Sequence, residues 1–187
     1  MSRHWDEVQI REYREEDVAA FADYWFSEES RAIHEGVIDY AKVPPRDEWE
    51  KGSRKIVGLV PPRALVVVYR EKAIGVHTLT IDPNGTADMH AHFWDVAARG
   101  QGIGLVSGVK AARAFLEAHG FERIFAKPPK ANPYSSRFAK KLGLPHLGEA
   151  VIDYGLLLPG TIADVYEVHR DHLDELERRV RAGATNR

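Results

Sequence analysis

The sequence predicts an α/β (α+β) fold, in which helices cover both faces of a central, twisted and mostly antiparallel sheet of six to seven strands. The first observation is a series of β-branched or alternating segments joined by short turns, a pattern typical of antiparallel hairpins. The second is a glycine-rich loop between a strand and a helix. The third is the element order β-α-α-β-β-β-α-β-α-β-β, whose hairpins before the glycine loop argue against a doubly wound parallel sheet.

Composition and charge restrict the class of protein. A chain of 187 residues with 44% hydrophobic residues is expected to form one domain, 1–187, with a sizeable core. The net charge of −2 supplies no basic field for nucleic acid, and the absence of cysteine excludes disulfides and a thiolate nucleophile. The start of the chain lacks an apolar stretch of signal-peptide length, and no run reaches the roughly 18 apolar residues of a membrane span. We therefore expect a soluble, cytoplasmic protein with no nucleic-acid or membrane partner.

The first third of the chain predicts one strand followed by helices. Val8–Tyr13 alternates apolar and polar residues, as a half-buried first strand does. A helix is expected from Glu15 and a second one over Glu28–Gly36. The stretch Val43–Arg63 is irregular and predicts a short helix or turn flanked by long loops. We expect this stretch to form either a cleft wall or a solvated connector.

The middle of the chain predicts three consecutive antiparallel strands, Ala64–Tyr69, Ala73–Ile81 and Thr86–Trp94. The first of them is a buried run of β-branched residues. A tight turn at Glu71-Lys72 and a hairpin turn at Asp82–Gly85 join the three strands.

The second half predicts a helix, a strand, a helix and a closing hairpin. The helices span Gly102–His119 and Pro133–Leu142, with the strand Arg123–Ala126 between them. The hairpin pairs Val151–Leu158 with Thr161–His169.

A charged helical tail, about 170–187, follows this core of about 8–169. Its helix carries a thin apolar stripe made of Leu173, Leu176 and Val180. We expect the stripe to pack on the body of the protein; the alternative is a second subunit in a homodimer.

The glycine-rich loop predicts a binding site for a diphosphate. Phe93–Leu105 reads FWDVAARGQGIGL, so a strand end, a glycine turn and a helix start follow one another. Glycines let successive backbone N–H groups converge, and a helix N-terminus adds unpaired donors and partial positive charge. This arrangement is typical of a phosphate cradle.

Two other interpretations of the loop stay open. Gly102 and Gly104 also fit the first two positions of the dinucleotide fingerprint, but the third position falls on Ser107, with Glu122 near the distance of the ribose-binding acid. The several strands before the loop disfavour that fingerprint. The loop could also be a glycine-rich turn that binds no ligand.

Two motifs in this order resemble the GCN5-related N-acetyltransferases, the GNAT family. Arg99-Gly100-Gln101-Gly102-Ile103-Gly104 resembles the family's pyrophosphate loop, R-x-x-G-x-G. Asn132 to Leu144 resembles its later signature, N-x-x-S-x-R-x-x-x-K-x-G-F, with Leu144 in place of the final Phe. The Ser three residues after Asn132 is similar to the ribosomal-protein N-terminal acetyltransferase branch. Another branch has a thiolate-protonating Tyr where this chain has Ala139.

The resemblance implies a GNAT fold, a sheet splayed at the cofactor loop, and acetyl-CoA as co-substrate without a metal. It also implies that Ser135 lies near the CoA sulfur. The implied cofactor-binding residues are Trp94, Val96, Arg99, Gly100, Gln101, Gly102, Ile103, Gly104, Asn132 and Ser135.

The strand before the loop offers candidates for a general base. Side chains alternate along a strand, so one face is predicted to belong to the core: Ala87, Met89, Ala91 and Phe93. The opposite face carries Asp88, His90, His92 and Trp94. In the family, the corresponding face often borders the acceptor cleft.

An amine must lose a proton to attack a thioester, and the developing oxyanion needs a donor such as a backbone N–H at a strand bulge. The candidate catalytic residues are Ser135, His90, Glu149 and Asp88, and His90 is favoured because a neutral imidazole accepts a proton near pH 7. The histidines could instead bind a metal or serve only structural roles, and Glu149 could be an ordinary exposed carboxylate.

We therefore predict an acetyl-CoA-dependent N-acetyltransferase that acts on a primary amine by direct attack on the thioester. The branch resemblance suggests a protein N-terminus or a small amine as acceptor. The alternative is a non-catalytic acyl-CoA-binding or sensing domain.

Overall fold

The structure, a computed structural model, describes residues 4–183 except for the side chains of Pro133 and Tyr134. Its strands are β1 Val8–Glu12, β2 Ala64–Tyr69, β3 Lys72–Ile81, β4 Ala87–Phe93, β5 Arg123–Ala126, β6 His146–Val151 and β7 Ile162–His169. They form a seven-stranded sheet in the order β1-β2-β3-β4-β5-β7-β6. Strands β4 and β5 run parallel and the other neighbours run antiparallel, which confirms the predicted sheet.

The helices are α1 Asp17–Phe26, α2 Glu28–Ile33, α3 Arg46–Arg54, α4 Ile103–His119, α5 Pro133–Leu142 and α6 Leu173–Ala182. Helix α1 begins at Asp17 rather than at Glu15. The buried Asp17 carboxylate accepts two hydrogen bonds from the Arg11 guanidinium, at 2.6 and 2.7 Å, and a third from the Arg14 N–H. A carboxylate is favourable at a helix N-terminus, so this network fixes the helix start.

Helices cover both faces of the sheet, as predicted, and each face has its own hydrophobic core. On the face covered by α4 and α6, which we call the α4 face, Phe115 and Leu116 are fully buried. On the opposite face, the α1 face, the core includes Phe21 and Trp25.

Helix α3 lies within the irregular stretch Val43–Arg63 and packs on α1. The Trp49 ring meets the Phe21 ring edge to face, with centroids 4.7 Å apart, and the hydroxyls of Tyr13 and Ser53 share a 2.8 Å hydrogen bond. Helix α3 is therefore part of the wall of the α1 face, whereas residues 58–61 after it are an exposed connector.

The sheet opens between β4 and β5. Within the described residues, the pairing between these strands is limited to Asp88 and Phe125. Strand β4 continues to Phe93 alongside β3, whereas β5 ends at Ala126 and the chain then turns toward α5. The result is a gap that is closed near Asp88 and open near Phe93, which is the splay that the resemblance implied.

The predicted closing hairpin of Val151–Leu158 with Thr161–His169 is wrong in its first strand. The partner of β7 is β6, which ends at Val151. The residues after it turn at Gly155, whose backbone has a positive φ of 80°, and Leu157 then pairs with Ile38 instead. Burial of Leu157 in the core of the α1 face stabilises this alternative pairing.

Strand β6 escaped detection because it is an edge strand with little hydrophobic patterning. Leu147 and Val151 are 56% and 70% exposed, and the register shifts between His146 and Gly148. A strand with exposed apolar residues and a bulge lacks the alternation on which strand prediction depends.

The tail helix packs on its own body, as expected. Leu173, Leu176 and Val180 are buried in the core of the α4 face, and Arg113 of α4 forms ion pairs with Asp174 and Glu177. The last residues of the predicted tail, 184–187, lie outside the described residues. In residues 4–183, no helix combines the length and the apolar character that crossing a membrane requires.

Candidate active site

The glycine loop at the open end of the gap has the backbone geometry of an anion cradle. A 3-10 turn, Val96–Ala98, leads from β4 into the loop, and the Asp95 carboxylate caps it by accepting the Ala97 N–H at 3.0 Å. Gly100 and Gly102 have positive φ angles of 76° and 83°, a region that other residues rarely adopt. Gly102 directly precedes the first residue of α4, Ile103.

The amide groups of this loop are available to a ligand. Among the described residues, the N–H groups of Gly100, Gln101 and Gly102 donate no hydrogen bond to another protein group. At the start of α4, the N–H groups of Ile103 and Gly104 likewise donate to no other group of the described residues, whereas the Leu105 N–H donates to the Gly102 carbonyl at 3.1 Å. A Cβ on Gly100 or Gly102 would meet no atom within 4 Å, so the space above the loop is open. Convergent donors beside open space fit a diphosphate.

The polar side chains of the loop bind neighbouring protein groups and so hold the loop in place. Arg99 donates from Nη2 to the Phe93 carbonyl at 2.7 Å, and its Nη1 forms an ion pair with Glu29 of α2. Gln101 donates to the Ala97 carbonyl. The cofactor-binding roles of Arg99 and Gln101 therefore stay predictions, whereas their role in holding the loop is direct.

The end of β4 presents backbone groups to the gap. The N–H groups of Trp94 and Asp95 both donate to the Ile74 carbonyl, at 3.1 and 3.2 Å, which is the pattern of a β-bulge. Because backbone groups alternate along a strand, the N–H and C=O groups of Ala91 and Phe93 face away from β3 and into the gap. The N–H groups of the bulge are therefore bound to Ile74, and the N–H groups that face the gap are those of Ala91 and Phe93 in the strand before it.

The remaining predicted contacts of β4 with the cofactor are more peripheral. The indole Nε1 of Trp94 donates to the Ala73 carbonyl at 2.9 Å, and the ring packs against the α1-face core. Val96 is 53% exposed beside the loop. Ile103 is buried, so only its backbone can reach a ligand. The contacts of Trp94, Val96 and Ile103 with a cofactor stay predictions.

The second motif forms the start of α5. Asn132 is buried, and its Oδ1 accepts the Ser135 N–H at 3.4 Å. The Ser135 hydroxyl donates to the Asn132 carbonyl at 3.1 Å, which leaves the lone pairs of its oxygen for other donors. Phe138, one turn later, packs against Gly108 and joins α5 to the N-terminal half of α4. The packing therefore brings the two predicted motifs together.

Asp88 lies at the closed end of the gap in a buried polar cluster. Its Oδ2 accepts hydrogen bonds from Lys127 Nζ and from the Tyr154 hydroxyl, both at 2.9 Å. Its Oδ1 is buried and has no partner among the described residues. Burial raises the pKa of Tyr154 far above its usual range, and the charge of Asp88 adds to the shift. Tyr154 is therefore a permanent donor to Asp88.

His90 lies beside this cluster. Its ring meets the Tyr154 ring edge to face, with centroids 4.9 Å apart. Burial lowers the pKa of His90, the charge of Asp88 raises it in part, and Lys127 lowers it further. His90 is therefore neutral at pH 7, the protonation state that a general base requires.

His92 is in a different environment from His90. Its ring packs among Phe21, Tyr24, Trp25 and His34 of the α1 face. Burial lowers the pKa of His92 well below its ordinary value, and the neighbouring histidines add to the shift. His90 and His92 thus share a strand face, as predicted, but contact different groups. In the residues described, no group of three His, Asp or Glu side chains is arranged to hold a metal ion.

Glu149 is not brought together with the other candidates. It lies on the edge strand β6, pairs in register with Asp164 of β7, and forms an exposed ion pair with Lys130. Strands β7 and β5 separate it from β4, a distance of roughly 14 Å at the usual strand spacing. Its role as a base stays a prediction without a contact that supports it.

Lys127 and Tyr154 were not identified from the sequence. Lys127 directly follows β5. A lysine at the end of a strand that borders the opening of the sheet was the sequence feature that could have identified it. Tyr154 falls in the segment that was predicted to be a strand, but it lies after the end of β6 and its hydroxyl donates to Asp88 of β4.

Comparisons with known proteins agree with this geometry. The family model described as an acetyltransferase (GNAT) domain matches residues 7–145. No curated protein sequence matches the chain. Among solved structures, the fold is similar to Mycobacterium smegmatis RimJ in complex with CoA-disulfide, with a TM-score of 0.70, 17% identity, and 96% of this chain and 90% of that chain covered.

Two further solved structures share the fold. The ribosomal-protein-S5-alanine acetyltransferase of Vibrio fischeri gives a TM-score of 0.66 at 19% identity and covers 88% of this chain and 94% of its own. A variant of the spermidine N-acetyltransferase SpeG of Vibrio cholerae gives a TM-score of 0.68 at 14% identity, with 90% of this chain and 96% of that chain covered.

Proposed function

The chain belongs to the GNAT family of acetyltransferases, and we propose that it transfers the acetyl group of acetyl-CoA to a primary amine. The observation that carries the proposal is the gap between β4 and β5. Unpartnered amides lie at its open end, and a neutral histidine lies beside its closed end. A long thioester with a diphosphate at one end matches this arrangement.

The backbone of this chain would supply most of the cofactor contacts. The amides of Gly100–Gly104 and the N-terminus of α4 would hold the diphosphate. The gap-facing N–H groups of Ala91 and Phe93 and the C=O of Ala91 would pair with the amide groups of the pantetheine arm as a strand does. The Phe93 C=O already accepts a hydrogen bond from Arg99. Acetyl-CoA supplies the activated acyl group.

His90 is the proposed general base. A protonated amine is not a nucleophile, so a proton must be removed before or during attack on the thioester carbonyl. His90 Nδ1 or Nε2 would accept that proton directly or through one water, because burial keeps the imidazole neutral at pH 7. Asp88 beside it favours the imidazolium that forms.

Two donors would serve the other charges of the reaction. The Ala91 N–H faces the gap and is proposed to stabilise the oxyanion that develops on the carbonyl, a contribution that is often the largest single one in acyl transfer. The Ser135 hydroxyl at the start of α5 is proposed to donate to the departing thiolate, for which it would exchange its bond to the Asn132 carbonyl.

The acceptor is proposed to be a protein N-terminus or a small amine. The family supports acetyl transfer in general. The fold neighbours include enzymes named for a ribosomal protein alanine and for spermidine, which are both primary amines. The acceptor would approach from the α1 face, on which Asp88 and His90 lie and where Trp49 and Trp94 contribute to the wall.

A non-catalytic acyl-CoA sensor is the second candidate. The observation that favours it is Ala139, which is 1% exposed in the core, so that position offers no proton donor to a thiolate. A sensor would bind acetyl-CoA without releasing CoA in the presence of any acceptor.

Turnover separates the two functions. Free CoA would be measured after mixing the protein and acetyl-CoA with spermidine, an amino-acid amide and a peptide with a free N-terminal alanine. Amine-dependent CoA release supports the transferase. Binding of acetyl-CoA by calorimetry, with no release above the protein-free rate for any amine, would establish the sensor instead.

A further inference from the structure

A buried ion pair crosses the gap between β4 and β5. Asp88 belongs to β4, and Lys127 is the residue that directly follows β5. Their Nζ–Oδ2 distance is 2.9 Å, and the side chains are only 6% and 18% exposed. Tyr154, from the loop between β6 and β7, donates to the same carboxylate oxygen. Three separate segments of the chain therefore meet at one point of the gap.

The pair lies where the two strands part. Phe125 is the residue that pairs with Asp88, and Lys127 follows two residues later, after β5 has left β4. The Lys127 side chain reaches back across the opening to Asp88. A linear molecule that enters beside Gly100–Gly104 and follows the edge of β4 therefore ends where Asp88 pairs with Phe125, with this cluster beside its end on the α1 face.

We propose that the Asp88–Lys127–Tyr154 cluster closes the acyl end of the gap and restricts the transferred group to acetyl. This proposal rests on the proposed function, since it requires that the gap receives an acyl-CoA. The three residues are specificity-determining: they select the acyl group, whereas His90 acts on the amine.

The physical reason is that a longer acyl chain would have to displace the ion pair. Asp88 Oδ1 has no partner among the described residues, so the buried carboxylate depends on Lys127 and Tyr154 for its compensation. Separation of a buried pair leaves an uncompensated charge, which is strongly unfavourable. An apolar chain against these charged groups also gains nothing from burial. Because a close-fitting pocket discriminates by about tenfold or more for one methylene, acetyl should exceed butyryl by about 100-fold.

The experiment measures kcat/KM for acetyl-CoA, propionyl-CoA and butyryl-CoA with one amine, and the Kd of each thioester by calorimetry without amine. The wild-type protein should prefer acetyl over butyryl by about 100-fold. The double variant Asp88→Asn/Lys127→Met removes the pair without leaving a buried charge, and its preference should fall at least tenfold. Tyr154→Phe keeps the ion pair and should reduce the preference less.

The control is Arg123→Met, which removes a cation from the other end of β5, where Arg123 pairs with the partly exposed Glu167. Its acyl preference should equal that of the wild type. Circular dichroism reports whether each variant folds. If the double variant does not fold, the wild-type series and Tyr154→Phe still decide.

Equal use of butyryl-CoA and acetyl-CoA by the wild type overturns the proposal, as does an unchanged preference in a folded double variant. If no thioester turns over with any amine, the proposed transfer fails, and the acyl preference is then decided by Kd alone. If the wild type binds acetyl-CoA more tightly than butyryl-CoA and the double variant does not, the cluster restricts the acyl group even in a sensor.

Discussion

Phe138 of α5 lies directly over Gly108 of α4: a Cβ on Gly108 would be only 2.2 Å from the Phe138 Cζ. Glycine is therefore required at this position for the two helices to approach each other. Helix α4 begins at the glycine loop, and α5 begins at Asn132 and Ser135. The contact between Gly108 and Phe138 thus sets the distance between the two predicted motifs.

Gly108→Ala should destabilise the protein and weaken CoA binding, because the Phe138 ring must turn or α5 must move outward. Overpacking of this kind costs about 1–3 kcal/mol, which urea denaturation would measure. Gly52→Ala in α3 is the matched control, since its Cβ would meet no atom within 4 Å. That variant should be unchanged or more stable by up to about 1 kcal/mol. Wild-type stability of Gly108→Ala would contradict the packing role.

Gly102→Val should abolish CoA binding and leave the fold largely intact. The Gly102 φ of 83° is strained for a β-branched residue, and relief of the strain would redirect the amides of the cradle. Calorimetry with CoA measures the effect. Gly85→Val is a close control, because Gly85 has a φ of 82° in a turn at the far end of β4. It should lose similar stability but keep CoA affinity; unchanged affinity in Gly102→Val would rule the cradle out.

Ser135→Ala should lower kcat with little change in CoA affinity, the pattern of an interaction made mainly in the transition state. The expected loss is about 10²-fold or less, within the range for one proton donor. Ser27→Ala is the control for loss of a hydroxyl at a helix start far from the site, because Ser27 accepts the Ser30 N–H at the start of α2. It should cost about 1 kcal/mol of stability and no turnover. If Ser135→Ala behaves in the same way, Ser135 only starts the helix.

His90→Ala should remove the acidic limb of the kcat/KM pH profile and lower the rate at neutral pH. The base is active when neutral, so the wild-type rate should fall as pH drops through the His90 pKa, which burial places below 6.5. Steady-state kinetics from pH 5 to 8 measures the limb. Glu149→Gln should retain the acidic limb. If His90→Ala retains the limb and Glu149→Gln loses it, Glu149 is the base.

Acid should destabilise the protein before its carboxylates titrate. Burial lowers the pKa of His34, lowers that of His77 to about 4, and lowers that of His92 well below 6.5. These histidines are neutral in the folded state, whereas the unfolded chain protonates them near pH 6.5. The free energy of unfolding is therefore highest above about pH 6.5. It falls as the pH drops below that value, by up to about 1.4 kcal/mol per pH unit for each histidine.

Urea denaturation between pH 7.5 and 5 tests this linkage. The free energy of unfolding should decline below pH 6.5 in the wild type. His77→Gln should reduce that slope by about one proton, whatever its effect on stability at pH 7.5. A free energy of unfolding that does not change from pH 6.5 to 5 would mean that the buried histidines titrate normally.

The glycine loop and the faces of β4 were predictable because the signals are local. Gly100 and Gly102 occupy positions where the backbone itself needs positive φ, and a strand separates its faces with a period of two. The core side chains Ala87 and Met89 and the polar side chains Asp88 and His90 therefore lie on the predicted faces. Ala91 was predicted to belong to the core but is exposed, because β4 has no β5 partner at that position. These features depend on neighbours in the chain, which the sequence displays directly.

Edge strand β6 and the path of the segment that follows it depended on packing. Leu157 is apolar and could pair either with Ile38 or with the segment Thr161–His169. The local sequence does not show which pairing is more stable. The burial available on the α1 face decided it.

Only the tertiary structure placed Lys127 and Tyr154 on Asp88, which they contact from 39 and 66 residues away in the chain. It also paired Arg99 with Glu29, across a separation of 70 residues. Local propensity carries no information about such partners, because an ion pair between segments forms where the sheet and its helices bring charges together. The sequence by itself therefore determined the family, the glycine loop and the face of β4 on which His90 lies, whereas the fold decided which groups surround them.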